Sequence, residues 1–250
     1  MAIKQNYVVF GATSTLGSYL CRKLADDGHA LVVSGRDNDK VRTLADSIGA
    51  IPTLCDVTKS EDISKVLDEG VKQLGDIHGV VNCAGSILIK PAHLTSEAEW
   101  NSLIDTNLRS SFLVVKNSVK TMMRTGGSIV LISSAVAQYG MPNHEAIAAA
   151  KAGVEGLVLS AAASYANRGI RVNCVAPGFF ESNSNSSIFS NEKLMKPIIN
   201  MHPLGRVGKP ENVGSAIEWL LDVKQDWVTG QVIAVDGGLS KVQPRVKIVI

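Results

Sequence analysis

Seven short runs of β-branched and apolar residues recur at 7–10, 30–34, 51–55, 78–82, 128–133, 170–175 and 231–235. Segments with helical spacing lie between them, among them 16–27, 60–74, 98–123, 146–166 and 211–222. This alternation constrains the fold more than any other feature. A strand that is apolar along its whole length has no solvent face, so both sides of its sheet must be covered, and the intervening helices do the covering. The expected class is α/β, with about seven parallel strands wound in both directions and helices on both faces. With 250 residues, 45% apolar and 19% charged, the chain has the composition for one large core. A single domain over 1–240 follows, with an apolar tail at 241–250.

One segment breaks the rhythm. Residues 181–203 open with Ser and Asn and then become a short apolar-faced helix that is expected to stop at Pro197. A connection this long between a strand and a helix is expected to act as a substrate lid, with a plain surface loop as the alternative.

Several function classes are excluded. A net charge of +2, no basic cluster and only 5% aromatic residues argue against a nucleic-acid surface. Cys21, Cys55, Cys83 and Cys174 are scattered, with no histidine at ligand spacing, so reduced core thiols and no metal site are expected. The N-terminus carries no leader pattern and no apolar run is expected to cross a bilayer. A cytoplasmic protein without a membrane partner is the expectation.

The first strand turns into a helix through VVFGATSTLGSYL, with glycines at 11 and 17. Glycine there permits a tight turn and lets the free N–H groups of the helix N-terminus approach a pyrophosphate. The ordered motifs that follow carry a resemblance. Asn82, Cys83, Ala84 and Gly85 follow the fourth run, Asp56 and Val57 the third, and Pro177 and Gly178 the sixth; VTGQVIAVDGG closes the pattern at 228–238. In these motifs the chain resembles the short-chain dehydrogenase/reductases over nearly its whole length, and most nearly their 3-oxoacyl-thioester reductases.

The resemblance implies a Rossmann-type domain binding a nicotinamide dinucleotide through Gly11, Thr13, Ser14, Thr15, Leu16 and Gly17. It also implies Asp56 and Val57 at the adenine, and Asn82, Ala84, Gly85, Pro177 and Gly178 along the cofactor. Thr15 stands where the family has its middle glycine, and its Cβ crowds the phosphate approach. The second strand ends on Gly35 and Arg36 instead of an acidic residue. Arg36 suits a 2′-phosphate, so NADP(H) is the expected cofactor and NAD(H), with Asp37 adjacent, the alternative. Arg36 as a surface residue at the start of a helix is the plainer reading.

At the reaction end the resemblance places Ser134 at the substrate carbonyl, Lys151 at the nicotinamide ribose and Asn107 in a proton relay. It places the proton-donating tyrosine at position 147, which is Ile147. A positioned general acid is worth about 10²–10⁴-fold, roughly 3–5.5 kcal/mol of barrier. His144 is the candidate replacement, with Tyr139 behind it. The plainer readings are a polar helix entry for His144 and Glu145, a pocket wall for Tyr139, a strand-end cap for Ser134 and a solvent-seeking Lys151.

Three functions are therefore open. The first is an oxidoreductase of a small carbonyl or alcohol substrate with a substituted donor. The second is a catalytically impaired cofactor-binding subunit or sensor, and the third a dehydratase or isomerase. The resemblance also implies a homo-oligomer, commonly a tetramer, formed through 98–123, 146–166 and the last strand.

Overall fold

The computed structural model describes residues 4–182 and 185–244. Its sheet has seven parallel strands: β1 (Asn6–Phe10), β2 (Ala30–Gly35), β3 (Ile51–Leu54), β4 (Gly79–Asn82), β5 (Gly127–Ile132), β6 (Ile170–Pro177) and β7 (Val232–Val235). Their spatial order is β3-β2-β1-β4-β5-β6-β7. The chain winds outward from β1 to β3, then returns to lay β4 against the other side of β1, pairing Tyr7 with Gly79 and Phe10 with Asn82. The reversal leaves a crevice beyond the carboxyl ends of β1 and β4, the usual ligand position in a doubly wound sheet.

Alternation within β1 divides the core. Val8 and Phe10 point to the face covered by α3 (Ser60–Leu74), α5 (Ser110–Met122) and α6 (Glu145–Tyr165), where Ile63, Leu67, Val114 and Val154 pack. Tyr7 and Val9 point to the opposite face, under α1 (Thr15–Asp26), α2 (Asn38–Ile48) and α9 (Pro210–Leu221), against Leu20, Leu24, Val41 and Ile217. At about 25 cal/mol per Å², each such buried aliphatic side chain contributes on the order of 1.5–3 kcal/mol.

Helix starts follow their caps. Ser14 accepts from Gly17 N at 3.0 Å ahead of α1, and Asp37 accepts from Lys40 N at 3.2 Å ahead of α2. Ser96 and Glu99 form a capping box at the start of α4 (Glu97–Ile104).

Three expectations need correction. The segment 98–123 is not one regular helix: α4 passes through a π-helical turn, Asp105–Arg109, into α5. Extra residues in a turn re-aim the side chains within it, and such turns recur at functional sites. Pro197 does not stop the helix in 181–203, because α8 (Glu192–Met201) runs through it after a short α7 (Ser186–Phe189). Proline removes one N–H bond there, while Asn191 caps the start of α8 and Met195 is buried beneath it. Finally, one stretch, Glu145–Arg168, is long and apolar enough to cross a membrane by length and composition. Its apolar character has another cause: α6 is a core helix lying on β6, with Ile147, Lys151, Val154 and Val158 buried.

Of the expected tail, residues 241–244 lie among those described and residues 245–250 lie outside them. All four cysteines are free thiols; Cys21, Cys55 and Cys174 are buried and Cys83 is half-buried.

Candidate active site

Two clusters of expected residues meet at the crevice. The first is backbone. Gly11 has φ +68°, and a Cβ on it would lie 2.4 Å from Ala84 N, so the turn after β1 rests directly on the loop after β4. A Cβ on Gly17 would lie 2.4 Å from the Gly11 carbonyl oxygen, and one on Gly178 would lie 2.8 Å from Asp236 Cα. Three loops thus approach to distances that no side chain permits. Thr15, at the first position of α1, is half-buried. Leu16 is buried in the core, and Thr13 packs under the tip of β2, where its Oγ1 would be 3.1 Å from a Cβ on Gly35.

Asn82 holds the second loop from below. It is buried, accepts from Ala84 N at 3.2 Å, and donates to Ser110 Oγ and Ser111 Oγ at 3.5 and 3.4 Å. Pro177 ends β6, and Gly178 N donates to Val235 O at 3.1 Å. Beyond β3, Asp56 accepts from Thr58 N and Thr58 Oγ1 at 3.0 and 2.8 Å, and Val57 is buried. Burial would raise the Asp56 carboxyl, but the Thr58 bonds with the Lys59 and Arg36 charges outweigh it and leave it below the usual range. Arg36 is exposed. Asp37 does not face the crevice as a free carboxylate; it caps α2 and pairs with Lys40 at 3.1 Å.

The second cluster is side chains. The π-helical turn aims Asn107 inward, where it is 1% exposed. Its Nδ2 donates to Ser86 O, Ser86 Oγ and Leu103 O at 3.1, 3.2 and 3.0 Å, and its Oδ1 accepts from Ser86 N at 3.3 Å. Lys151 is 8% exposed, and its Nζ donates to Ile132 O at 2.8 Å. Burial lowers the Lys151 pKa to about 8. Gly85 separates the two groups: a Cβ on it would lie 3.0 Å from Asn107 Oδ1 and 3.7 Å from Lys151 Nζ.

Ser134 follows β5, half-buried, and its Oγ accepts from Val136 N at 3.4 Å. Ile147 is one turn before Lys151 and 2% exposed, packed in a small apolar cluster with Leu103, Ala146, Leu88 and Val136. The loop after β4 is tied to the entry of α6 by a bond from Lys90 N to Asn143 O at 2.8 Å, Asn143 having φ +65°. His144 is half-buried at the entry to α6, with Nδ1 2.7 Å from Pro142 O. Among the described residues, no hydrogen bond links His144 or Tyr139 to Ser134, Asn107 or Lys151.

Glu155 is a residue of the site that sequence reasoning did not single out. It accepts from Ser133 Oγ at 2.8 Å and Gln138 Nε2 at 3.1 Å, tying α6 to the end of β5 beside Ser134. Its one signal was its place four residues after Lys151, on the same helical face. His202 was also missed. It is 3% exposed at the end of α8, with Nδ1 2.7 Å from Ile198 O, and its Nε2 accepts from Phe179 N at 3.4 Å. A hollow of about 380 Å³, lined in part by Phe179, Leu204, Arg206, Asn212 and Asp236, adjoins the first cluster at Val235 and Asp236 and includes none of Ser134, Asn107 and Lys151.

Known proteins resemble this arrangement along most of the chain. A family model described as enoyl-(acyl carrier protein) reductase matches residues 11–240. A 3-oxoacyl-[acyl-carrier-protein] reductase FabG of Thermotoga maritima is 35% identical over 240 residues, 93% of this chain and 96% of that one. Carbonyl reductase family member 4 of Danio rerio is 34% identical over 240 residues, covering 93% and 97%. Among solved structures, a short-chain type dehydrogenase/reductase from Mycobacterium ulcerans superposes with a TM-score of 0.93 at 27% identity, covering 98% of this chain and 93% of that one. An actinorhodin polyketide ketoreductase with NADPH superposes at 0.90 and 27% identity, covering 97% and 100%.

Proposed function

The chain belongs to the short-chain dehydrogenase/reductase family, and from that premise we propose that it is an NADP(H)-dependent oxidoreductase of carbonyl and alcohol groups whose proton donor does not stand at position 147. The observation that carries the proposal is the nook at Gly85, where a buried amide and a buried ammonium converge within 3.0 and 3.7 Å of one absent methyl. A buried ammonium with one carbonyl partner is costly, and polar groups of a ligand in the nook would offset that cost.

The residues fit a nicotinamide dinucleotide. The backbone floor of Gly11, Gly17 and Gly85 leaves room that a Cβ would fill, and the N-terminus of α1 offers its N–H groups to a pyrophosphate. Thr13, Ser14, Thr15 and Leu16 form that turn. Arg36 takes the 2′-phosphate, the engagement of Asp37 as a helix cap removing the opposing carboxylate. Asp56 and Val57 border the adenine, Asn82, Ala84 and Gly85 the middle of the cofactor, Lys151 the ribose, and Pro177 and Gly178 the nicotinamide. Once bound, the dinucleotide supplies or removes two electrons and one hydrogen. The chain's own part is to orient the substrate carbonyl through Ser134, to support Lys151 through Asn107, and to exclude water behind Ile147.

The substrate is a small molecule, and residues 181–203 serve as its lid. The Phe179–Phe189 ring stack, with centroids 5.4 Å apart, joins the lid to the strand end. Self-association through α5 and α6 rests on Phe112 and Leu159, which are 50% and 60% exposed on those helices.

A second reading, a cofactor-binding subunit without turnover, is favoured by one observation: Ile147 is sealed among Leu88, Leu103 and Val136 rather than lining open space. One experiment separates the two. NADPH oxidation is followed with wild type and Ile147→Tyr over a panel of 3-oxoacyl thioesters, diketones and simple ketones, beside NADPH binding by fluorescence. Turnover by wild type is the expected result. Binding without turnover, with activity appearing only in Ile147→Tyr, establishes the second reading. Failure to bind NADPH removes both.

A further inference from the structure

We propose that Lys151 is itself the proton donor in this chain, acting directly on the substrate oxygen or through one water held in the nook at Gly85. The inference rests on the oxidoreductase reading above.

Geometry singles Lys151 out. An ammonium has three N–H bonds, and Lys151 gives one of them to Ile132 O at 2.8 Å. Among the described residues it has no carboxylate partner, so the remaining two are left for a ligand. Its Nζ lies beside Gly85 and the Asn107 amide, at the end of the strand that leads two residues later to Ser134. Ile147 places hydrocarbon, not a hydroxyl, one turn before it on the same face.

The other candidates are poorly set for the task. The contact with Pro142 O occupies Nδ1 of His144, and among the described residues no hydrogen bond joins its ring to Ser134, Asn107 or Lys151. Tyr139 is 41% exposed, on the loop after β5. Lys151 also exchanges its proton in the right range, since burial brings it to about 8. The titratable groups facing it, Cys83 from the loop after β4 and Cys174 from β6, are both pushed up to about 12 by burial and stay neutral thiols there.

The step balances. The C=O π bond breaks, and the carbon gains two electrons and one hydrogen from the reduced dinucleotide, which is oxidised. The oxygen takes a proton from Nζ, forming O–H. The neutral amine left on Lys151 then regains a proton from solvent.

Two measurements test this on the intact protein. The first follows amine-selective labelling of Lys151 against pH by peptide mass spectrometry, with no cofactor present. The second records kcat/KM for carbonyl reduction against pH for wild type and Lys151→Arg, beside NADPH binding. A labelling midpoint near 8 is expected, with wild-type reduction falling above that pH. Lys151→Arg keeps a cation that cannot give up its proton, so kcat falls about 10²–10⁴-fold while NADPH binding weakens by no more than about tenfold. A labelling midpoint above about 10, or a wild-type profile flat through pH 8, overturns the proposal even if the variant fails to fold. Reduction by Lys151→Arg at the wild-type rate also overturns it while leaving the oxidoreductase reading intact. A wild type that binds NADPH and reduces nothing removes both.

Discussion

The two ends of the crevice are built on different principles. At the turn after β1 the constraint is backbone on backbone: Gly11 meets the Ala84 amide, Gly17 meets the Gly11 carbonyl, and neither contact leaves room for one added carbon. At the entry to α6 the constraint is side-chain packing, with Ile147 held by Leu88, Leu103, Ala146 and Val136. A backbone contact admits one residue type. A packed apolar cluster accepts any neighbour of suitable shape, so the chain can keep the first end strict and exchange chemistry at the second.

Breaking the strict end should produce the largest effect. Gly11→Ala puts a Cβ 2.4 Å from Ala84 N at a residue with φ +68°. We expect a loss of about 3 kcal/mol or more in urea unfolding, together with loss of NADPH binding.

The tolerant end should respond in two directions at once. Ile147→Tyr is expected to raise carbonyl reduction by no more than about tenfold, because Lys151 already supplies the proton, while costing about 1–3 kcal/mol of stability, because the larger ring must enter a filled cluster. Kinetics and denaturation of the same sample check the pair of effects; a gain without a cost would mean that the cluster opens readily.

Lys151 belongs to both ends, and its titration gives the next effect. Its folded pKa, about 8, lies below the ordinary lysine value of 10.5. Between those two pH values the unfolded chain binds the additional proton at this residue, so its own contribution to stability should rise with pH across that window, by about 3 kcal/mol in total. Below pH 8 both states carry the proton and the penalty is constant. Calorimetry from pH 7 to 10 on wild type and Lys151→Met tests the sign in the difference between them, because the buried Cys83 and Cys174 thiols, held at about 12, lower the stability of both over the upper part of that range.

The smallest expected change is at the rim. Arg36 is exposed, so Arg36→Ala should weaken NADPH binding about tenfold, leave NADH nearly unaffected, and alter stability by less than about 0.5 kcal/mol. Equal weakening of both cofactors would move the 2′-phosphate contact elsewhere, Lys40 being the nearest alternative cation on α2.

What was legible in the sequence is what repeats or what only one residue type can satisfy. The seven apolar runs appear as seven parallel strands, and the glycines at 11, 17 and 85 stand at close approaches, because strand periodicity and the lack of a Cβ are local properties. Lys151, Asn107 and Ser134 were named through the family resemblance, which does not say what they touch in this chain. The regular helix expected over 98–123 missed the π-helical turn that aims Asn107 inward, and Pro197 proved compatible with α8.

The identity of residue 147 is plain in the sequence; its meaning is not. Only the assembled fold brings Leu88 and Val136, from the loops after β4 and β5, over that side chain, and only burial of the inner face of α6 against the sheet lowers Lys151 to about 8. A sequence records which groups a chain carries. Desolvation and packing depend on every atom around a group, and most of those atoms arrive from distant parts of the chain.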